Sequence, residues 1–190
     1  LLDAHADYHP DLAMEAQVNR NRLLQLQGNH EGAIAALEIA LDDPDIDEMG
    51  PGYRSDILLD IAGIYAGSLR EYDKGAELYR AFIEQEVKTP SIGPSQLLAY
   101  MEELIKCYLN LNELELVDQY TDQARQLATK LENEEVLTNL MVYTAKTQQL
   151  RGACNTALEK LLYQQQASHA LAVFASQAPC WRYQLFEGYK

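Results

Sequence analysis

Positive charge is scarce in this chain of 190 residues, which has 15 Lys and Arg against 29 Asp and Glu and a formal net charge of −14. Such a chain repels an extended phosphate backbone. The charge balance therefore predicts that nucleic acid is not a partner. Hydrophobic residues make up 47% of the sequence and charged residues 23%, as in globular proteins, which excludes the disordered and fibrous classes.

The sequence also contains few cysteines and no long apolar runs. The three cysteines Cys107, Cys154 and Cys180 are too few and too widely spaced for a disulfide framework or a metal knuckle, and their odd number favours a reducing compartment. No apolar stretch approaches the roughly 20 residues of a membrane span. The chain starts at Leu1 without a basic, apolar leader, which is typical of a fragment. We therefore expect a cytoplasmic protein without a membrane span.

Helix breakers are few and clustered, because Pro and Gly fall mainly between apolar-periodic segments. Apolar spacing between these breakers predicts an all-α protein. The predicted helices are 11–27, 30–42, 54–68, 72–88, 95–110, 113–131, 134–150 and 153–177.

These helices form an internal repeat. Small residues recur at separations of 42, 42 and 40 positions, at Ala33, Gly75, Val117 and Ala157. Four residues after each small residue stands a larger side chain: Leu37, Tyr79, Thr121 and Leu161. A small residue lets two helices approach closely, and the larger one fills the space a turn later. The pattern predicts stacked antiparallel helix hairpins in a right-handed α-solenoid.

A turn glycine followed by a small residue and then a large one resembles the tetratricopeptide repeat (TPR) pattern. Gly28, Ala33, Leu37 and Ala40 carry the resemblance best, while Tyr72, Gly75 and Tyr79 match with one residue inserted before the turn. The period is longer than usual and resembles the extended units of kinesin light chains and large bacterial transcriptional activators. HEAT repeats are the alternative. The resemblance implies a single domain over 1–190, with repeats at about 11–45, 54–88, 95–132 and 134–177 and a partial repeat or cap at 179–190.

Candidate catalytic and metal-binding clusters are incomplete. Asp43, Asp45 and Asp47 alternate as in a calcium loop, but the glycine and the bidentate glutamate that such a loop needs are missing. A second cluster of possible ligands comprises Asp3, His5, Asp7 and His9 near the start of the chain. Cys180 lies near His169 without an oxyanion turn or a third member. We therefore expect no enzymatic activity, no metal and no cofactor.

The remaining candidate site is the concave groove that the TPR resemblance implies. Six positions before the turns at Gly28, Asn112 and Gly152 stand three cations, and amide side chains lie nearby. The predicted peptide-binding residues are Arg22, Gln25, Lys106, Asn110, Asn139, Lys146 and Gln149. Such a strip suits a peptide carboxylate or acidic side chains. The alternative is that the cations are ordinary exposed charges that pair with neighbours such as Glu102.

These observations predict a non-catalytic protein-protein interaction module, namely a scaffold or regulatory domain of a larger protein that binds a protein or an acidic peptide. The alternative is a ligand- or peptide-responsive sensor segment of a signalling or transcription regulator. Self-association is expected through the aromatic carboxyl-terminal end, where an unfinished repeat would leave apolar surface uncovered.

Overall fold

The computed structural model describes residues 20–44, 46 and 52–152, and these residues are helical without any strand. The first helical stretch, α1, covers residues 20–26. The helices that follow are α2 (His30–Leu41), α3 (Tyr53–Gly63), which continues as a π-helix over Ile64–Leu69, α4 (Tyr72–Lys88), α5 (Pro94–Leu111), α6 (Leu114–Lys130) and α7 (Glu134–Leu150). The all-α prediction is thus confirmed for the described part of the chain.

The chain divides into two compact units, one ending at Ser91 and the other beginning at Ile92. In the first unit, α2 packs against α3, and α4 packs against α3 and its π-helical extension. Its core is a cluster of buried aliphatic side chains: Ala33, Ile34, Leu37, Ile46, Ile57, Ile61 and Ile64. The helices are held together by burial of this apolar face, because isolated helices of such length are marginal in water.

In the second unit, α6 packs against both α5 and α7, and α5 also contacts α7. The largest side chains that are fully buried here are Leu98, Leu104, Ile105, Val117 and Leu140. The rings of Tyr108 and Tyr120 contact each other across the α5–α6 interface, with their centroids 5.6 Å apart and their planes tilted by 31°. The prediction of a single domain over 1–190 stays a prediction.

Several turns that follow a helix contain one residue in the left-handed conformation. Gly28, Arg70, Asn112 and Gly152 all have positive φ angles, between 57° and 76°, at separations of 42, 42 and 40 residues, and Glu132 between α6 and α7 has a φ of 52° outside this spacing. A left-handed residue just after a helix reverses the chain while the last carbonyls are still satisfied. At the ends of α1 and α5 the next N–H bonds a carbonyl five residues back, from Asn29 to Leu24 at 2.9 Å and from Glu113 to Tyr108 at 3.0 Å.

The small residues of the repeated pattern lie where helices meet. Ala33 and Val117 are completely buried, and Gly75 is also buried. A Cβ on Gly75 would lie 2.9 Å from the Cβ of Ala66 and 3.2 Å from the carbonyl oxygen of Ala62. The close approach of α4 to the helix before it therefore depends on glycine. Ala157, the fourth member of the pattern, lies outside the described residues.

Among the described helices, none is both long enough and apolar enough to cross a membrane. The localisation in the cytoplasm stays a prediction. The expected cap and self-association end at 179–190 lie outside the described residues, as does the predicted helix 153–177.

Candidate functional site

The face formed by α5 and α7 carries a small polar cluster around Glu102. The Nδ2 of Asn139 donates a hydrogen bond to the Oε1 of Glu102 at 3.1 Å, and the hydroxyl of Tyr143 makes a longer contact with the same oxygen at 3.5 Å. Glu102 comes from α5, and Asn139 and Tyr143 lie one turn apart on α7. The carboxylate therefore bridges the two helices.

Burial controls the electrostatics of this cluster. Partial desolvation raises the pKa of Glu102 above its ordinary value, although the hydrogen bond from Asn139 and the charge of Lys106 oppose the rise. Desolvation, together with the nearby charge of Glu102, also raises the pKa of Tyr143. Tyr143 therefore remains a neutral phenol at physiological pH and acts as a hydrogen-bond donor.

The structure brings some of the predicted groove residues to this face with partners of their own. The Nζ of Lys106 lies 2.7 Å from the Oε1 of Glu103, so this exposed lysine is paired within its own helix. The Nδ2 of Asn110 donates to the backbone oxygen of Lys106 at 2.7 Å. The alternative of neighbour pairing thus holds for Lys106, with Glu103 as the partner in place of Glu102.

The remaining groove residues differ in exposure. Lys146 and Gln149 are half-buried on α7, whereas Arg22 is exposed on α1. The Nε2 of Gln25 donates to the Oδ1 of the buried Asn21 at 3.0 Å. Arg22 and Gln25 belong to the first unit and the other five residues to the second, so the assignment of one peptide groove stays a prediction.

Sequence reasoning missed Tyr143 and treated Glu102 only as a charge partner. Tyr143 stands four positions after Asn139 and three before Lys146, and so falls on the same helical face. That spacing could have indicated that Tyr143 belongs to the candidate site. The burial that shifts its pKa depends on α5 lying beside α7, which no local pattern reports.

Of the residues considered for nucleophilic or metal chemistry, Cys107 and Asp43 lie within the described part of the chain. Cys107 is buried, and this burial raises the pKa of its thiol to about 11, so almost no thiolate is present at neutral pH. Within the described part of the chain, no group of three or more His, Cys, Asp or Glu could hold a metal ion. Asp45, Asp47, the cluster of Asp3, His5, Asp7 and His9, and the pair of Cys180 and His169 lie outside it.

A second electrostatic feature lies on α3, where acidic side chains surround Tyr53. Partial desolvation raises the pKa of Asp56 and of Asp60, and the charge of Asp56 raises that of Asp60 further. Desolvation and the charges of Asp60, Asp43 and Asp56 also raise the pKa of Tyr53. This surface of the first unit is therefore unfavourable for anions.

Comparison with known proteins gives one informative result. No family model matches the chain, and no solved structure matches it. A stretch of 40 residues is 62% identical to the flap endonuclease Xni of Colwellia psychrerythraea (strain 34H / ATCC BAA-681), which is 21% of this chain and 14% of that protein. The match thus spans about one seventh of the relative's length and one fifth of this chain.

This match contradicts several expectations. The prediction of a non-catalytic protein-protein interaction module, with its scaffold and signalling roles and its sensor alternative, is corrected by similarity to an endonuclease. The prediction that the protein is not an enzyme and the exclusion of nucleic acid as a partner are corrected by the same finding. The charge argument failed because a net charge of −14 is a sum over 190 residues and does not describe the chemistry of a 40-residue segment.

Proposed function

We propose that this protein is a nuclease that acts on nucleic acid carrying a flap. The observation that carries the proposal is the 62% identity over 40 residues with a flap endonuclease. Identity at this level over a stretch of this length supports shared local chemistry. Nucleases commonly hydrolyse phosphodiesters with metal ions held by carboxylates. The proposal assigns that chemistry to none of the described residues, since no group of three metal-binding side chains exists among them.

For the described helices, we propose a TPR-like array of hairpins. Support comes from the left-handed turn residues at separations of 42, 42 and 40 and from the buried small residues Ala33, Gly75 and Val117. The proposal predicts that the stacking direction is that of a right-handed solenoid. A crystal structure of the full chain would test it, and a bundle with α7 packed back on α2 would contradict it.

The nuclease proposal is tested with the purified full chain and labelled DNA duplexes that carry a single-stranded flap at either end. Unbranched duplex and single-stranded DNA of the same sequence are the matched controls. We expect cleavage near the flap junction in the presence of Mg²⁺ or Mn²⁺, faster than cleavage of either control, and loss of cleavage when the metal is chelated.

The activity must belong to this chain and not to a contaminant. Cleavage should therefore elute from gel filtration with the chain, and depletion with an antibody against the chain should remove it. Absence of cleavage on every flapped substrate, or equal cleavage of flapped and unbranched DNA, would contradict the proposal.

A further inference from the structure

The end of α3 differs from the other helix ends by one residue. The six residues that continue it, Ile64–Leu69, form a π-helix. The N–H of Arg70 donates to the carbonyl oxygen of Tyr65, five residues back, and the N–H of Glu71 donates to the same oxygen from six residues away at 2.9 Å. Each of these hydrogen bonds therefore spans one residue more than the corresponding bond at the end of an α-helix.

The end of α5 provides the reference. There the N–H of Asn112 bonds the carbonyl oxygens of Leu109 and Tyr108, three and four residues back, and the N–H of Glu113 reaches the oxygen of Tyr108 from five residues away at 3.0 Å. The turn residues have nearly the same φ angle, 57° at Arg70 and 61° at Asn112. The two ends therefore share the left-handed turn and a hydrogen bond from the residue after it, but the loop that this bond closes contains one additional residue at the first end.

A π-helix is the geometry that takes up one residue while the flanking helix continues, because its hydrogen bonds span one residue more. The segments on either side of the π-helix are fixed by their contacts and by the turn. Gly75 on α4 lies against Ala62 before the π-helix and against Ala66 within it. On the other side of the segment, Arg70 keeps the left-handed conformation of the turn.

We propose that Ile64–Leu69 holds a one-residue insertion in a repeated helix end, and that the segment forms the same turn in an α-helical register when one residue is removed. The π-helix then takes up the additional residue, so that the segments before and after it keep their positions. It allows the helix to meet α4 at Gly75 and still to turn at Arg70, although the loop closed by the N–H of Glu71 contains one residue more than the loop closed by the N–H of Glu113.

The test deletes Gly67 from the full chain. Gly67 is exposed, and a Cβ placed on it would meet nothing within 4 Å, so its removal sacrifices no side-chain contact. Deletion of the adjacent exposed Ser68 should behave in the same way. The matched control deletes Ala81, an exposed small residue within regular α4. That deletion turns the rest of the helix by about 100° and displaces the buried Phe82 and Ile83.

We expect the Gly67 and Ser68 deletions to keep the thermal midpoint within about 4 °C of the parent chain, and the Ala81 deletion to lower it by more than about 8 °C or to abolish cooperative unfolding. A structure of the Gly67 deletion should show the N–H that follows the turn residue bonded five residues back. Damage equal to that of the Ala81 deletion, or a π-helix that persists with a displaced turn, would overturn the proposal.

Discussion

Gly75 shows how the absence of a single methyl group sets the distance between two helices. A Cβ at this position would come closer to the Cβ of Ala66 than side chains normally allow. It would also lie 3.2 Å from the carbonyl oxygen of Ala62 and 3.3 Å from the backbone nitrogen of Ala66. We expect Gly75→Ala to destabilise the protein by about 1 to 3 kcal/mol through overpacking, despite the better helix propensity of alanine.

Gly67→Ala is the control for this prediction, because a Cβ there would meet open space. It should leave stability unchanged or raise it by up to about 1 kcal/mol. Urea unfolding monitored by circular dichroism measures both variants. Equal midpoints for the two would show that the approach of α4 does not depend on Gly75.

Glu102 makes a pH-dependent contribution to stability. Because its pKa is raised in the folded chain, the fold favours the protonated carboxyl, and its contribution is most favourable below its ordinary pKa of 4.5. That contribution is lost as the pH rises through the folded pKa. At neutral pH the folded protein therefore carries a partly desolvated charge.

Glu102→Gln removes this charge and keeps an oxygen that can accept from Asn139 and Tyr143. We expect the variant to be more stable than the parent at pH 7, by less than about 1 kcal/mol, with the difference shrinking toward pH 4. Urea midpoints across this pH range measure the effect. A loss of stability at pH 7 would mean that the charge-assisted bonds outweigh the desolvation.

At the scale of the helix, the N-terminus of α7 has a side-chain cap that the N-terminus of α6 lacks. The Oδ1 of Asn133 accepts a hydrogen bond from the N–H of Val136 at 3.1 Å. Glu113 occupies the same position before α6, but its side chain makes no capping bond. We expect Asn133→Ala to cost about 0.5 to 2 kcal/mol and Glu113→Ala clearly less. Thermal unfolding of both variants tests the difference, and an equal loss would contradict it.

The helix boundaries were largely predictable for the described residues. The predicted 72–88 and 134–150 coincide with α4 and α7, and the other described ends differ by at most one residue, except that the predicted 54–68 runs past the end of α3 at Gly63 into the π-helix. Breakers such as Pro94, which occupies the first turn of α5, fix these ends locally. The π-helix over Ile64–Leu69 was not predicted, since helical periodicity in the sequence does not show where the hydrogen bonds lengthen by one residue.

At the scale of the whole molecule, the net charge of −14 creates self-repulsion that the surface ion pairs do not remove. The pairs in the described residues, such as those of Lys106 with Glu103 and Arg151 with Asp118, are exposed and each contributes little. We therefore expect added NaCl, from low ionic strength to several times physiological, to raise the thermal midpoint by about 2 to 5 °C through screening.

The control for this effect is the same salt series near pH 4.6, which is the pI of the sequence. The net charge vanishes there, so the rise should disappear. A lower midpoint with added salt at neutral pH would show that specific ion pairs outweigh the general repulsion.

The sequence by itself determined the helices, the repeated turns and the positions of the small residues, because each depends on interactions within a few neighbours or on a regular period. Only the tertiary structure decided that Glu102 and Tyr143 share one partly desolvated cluster. This cluster arises when α5 and α7, separated by a whole helix in the chain, come into contact and remove water from the groups between them.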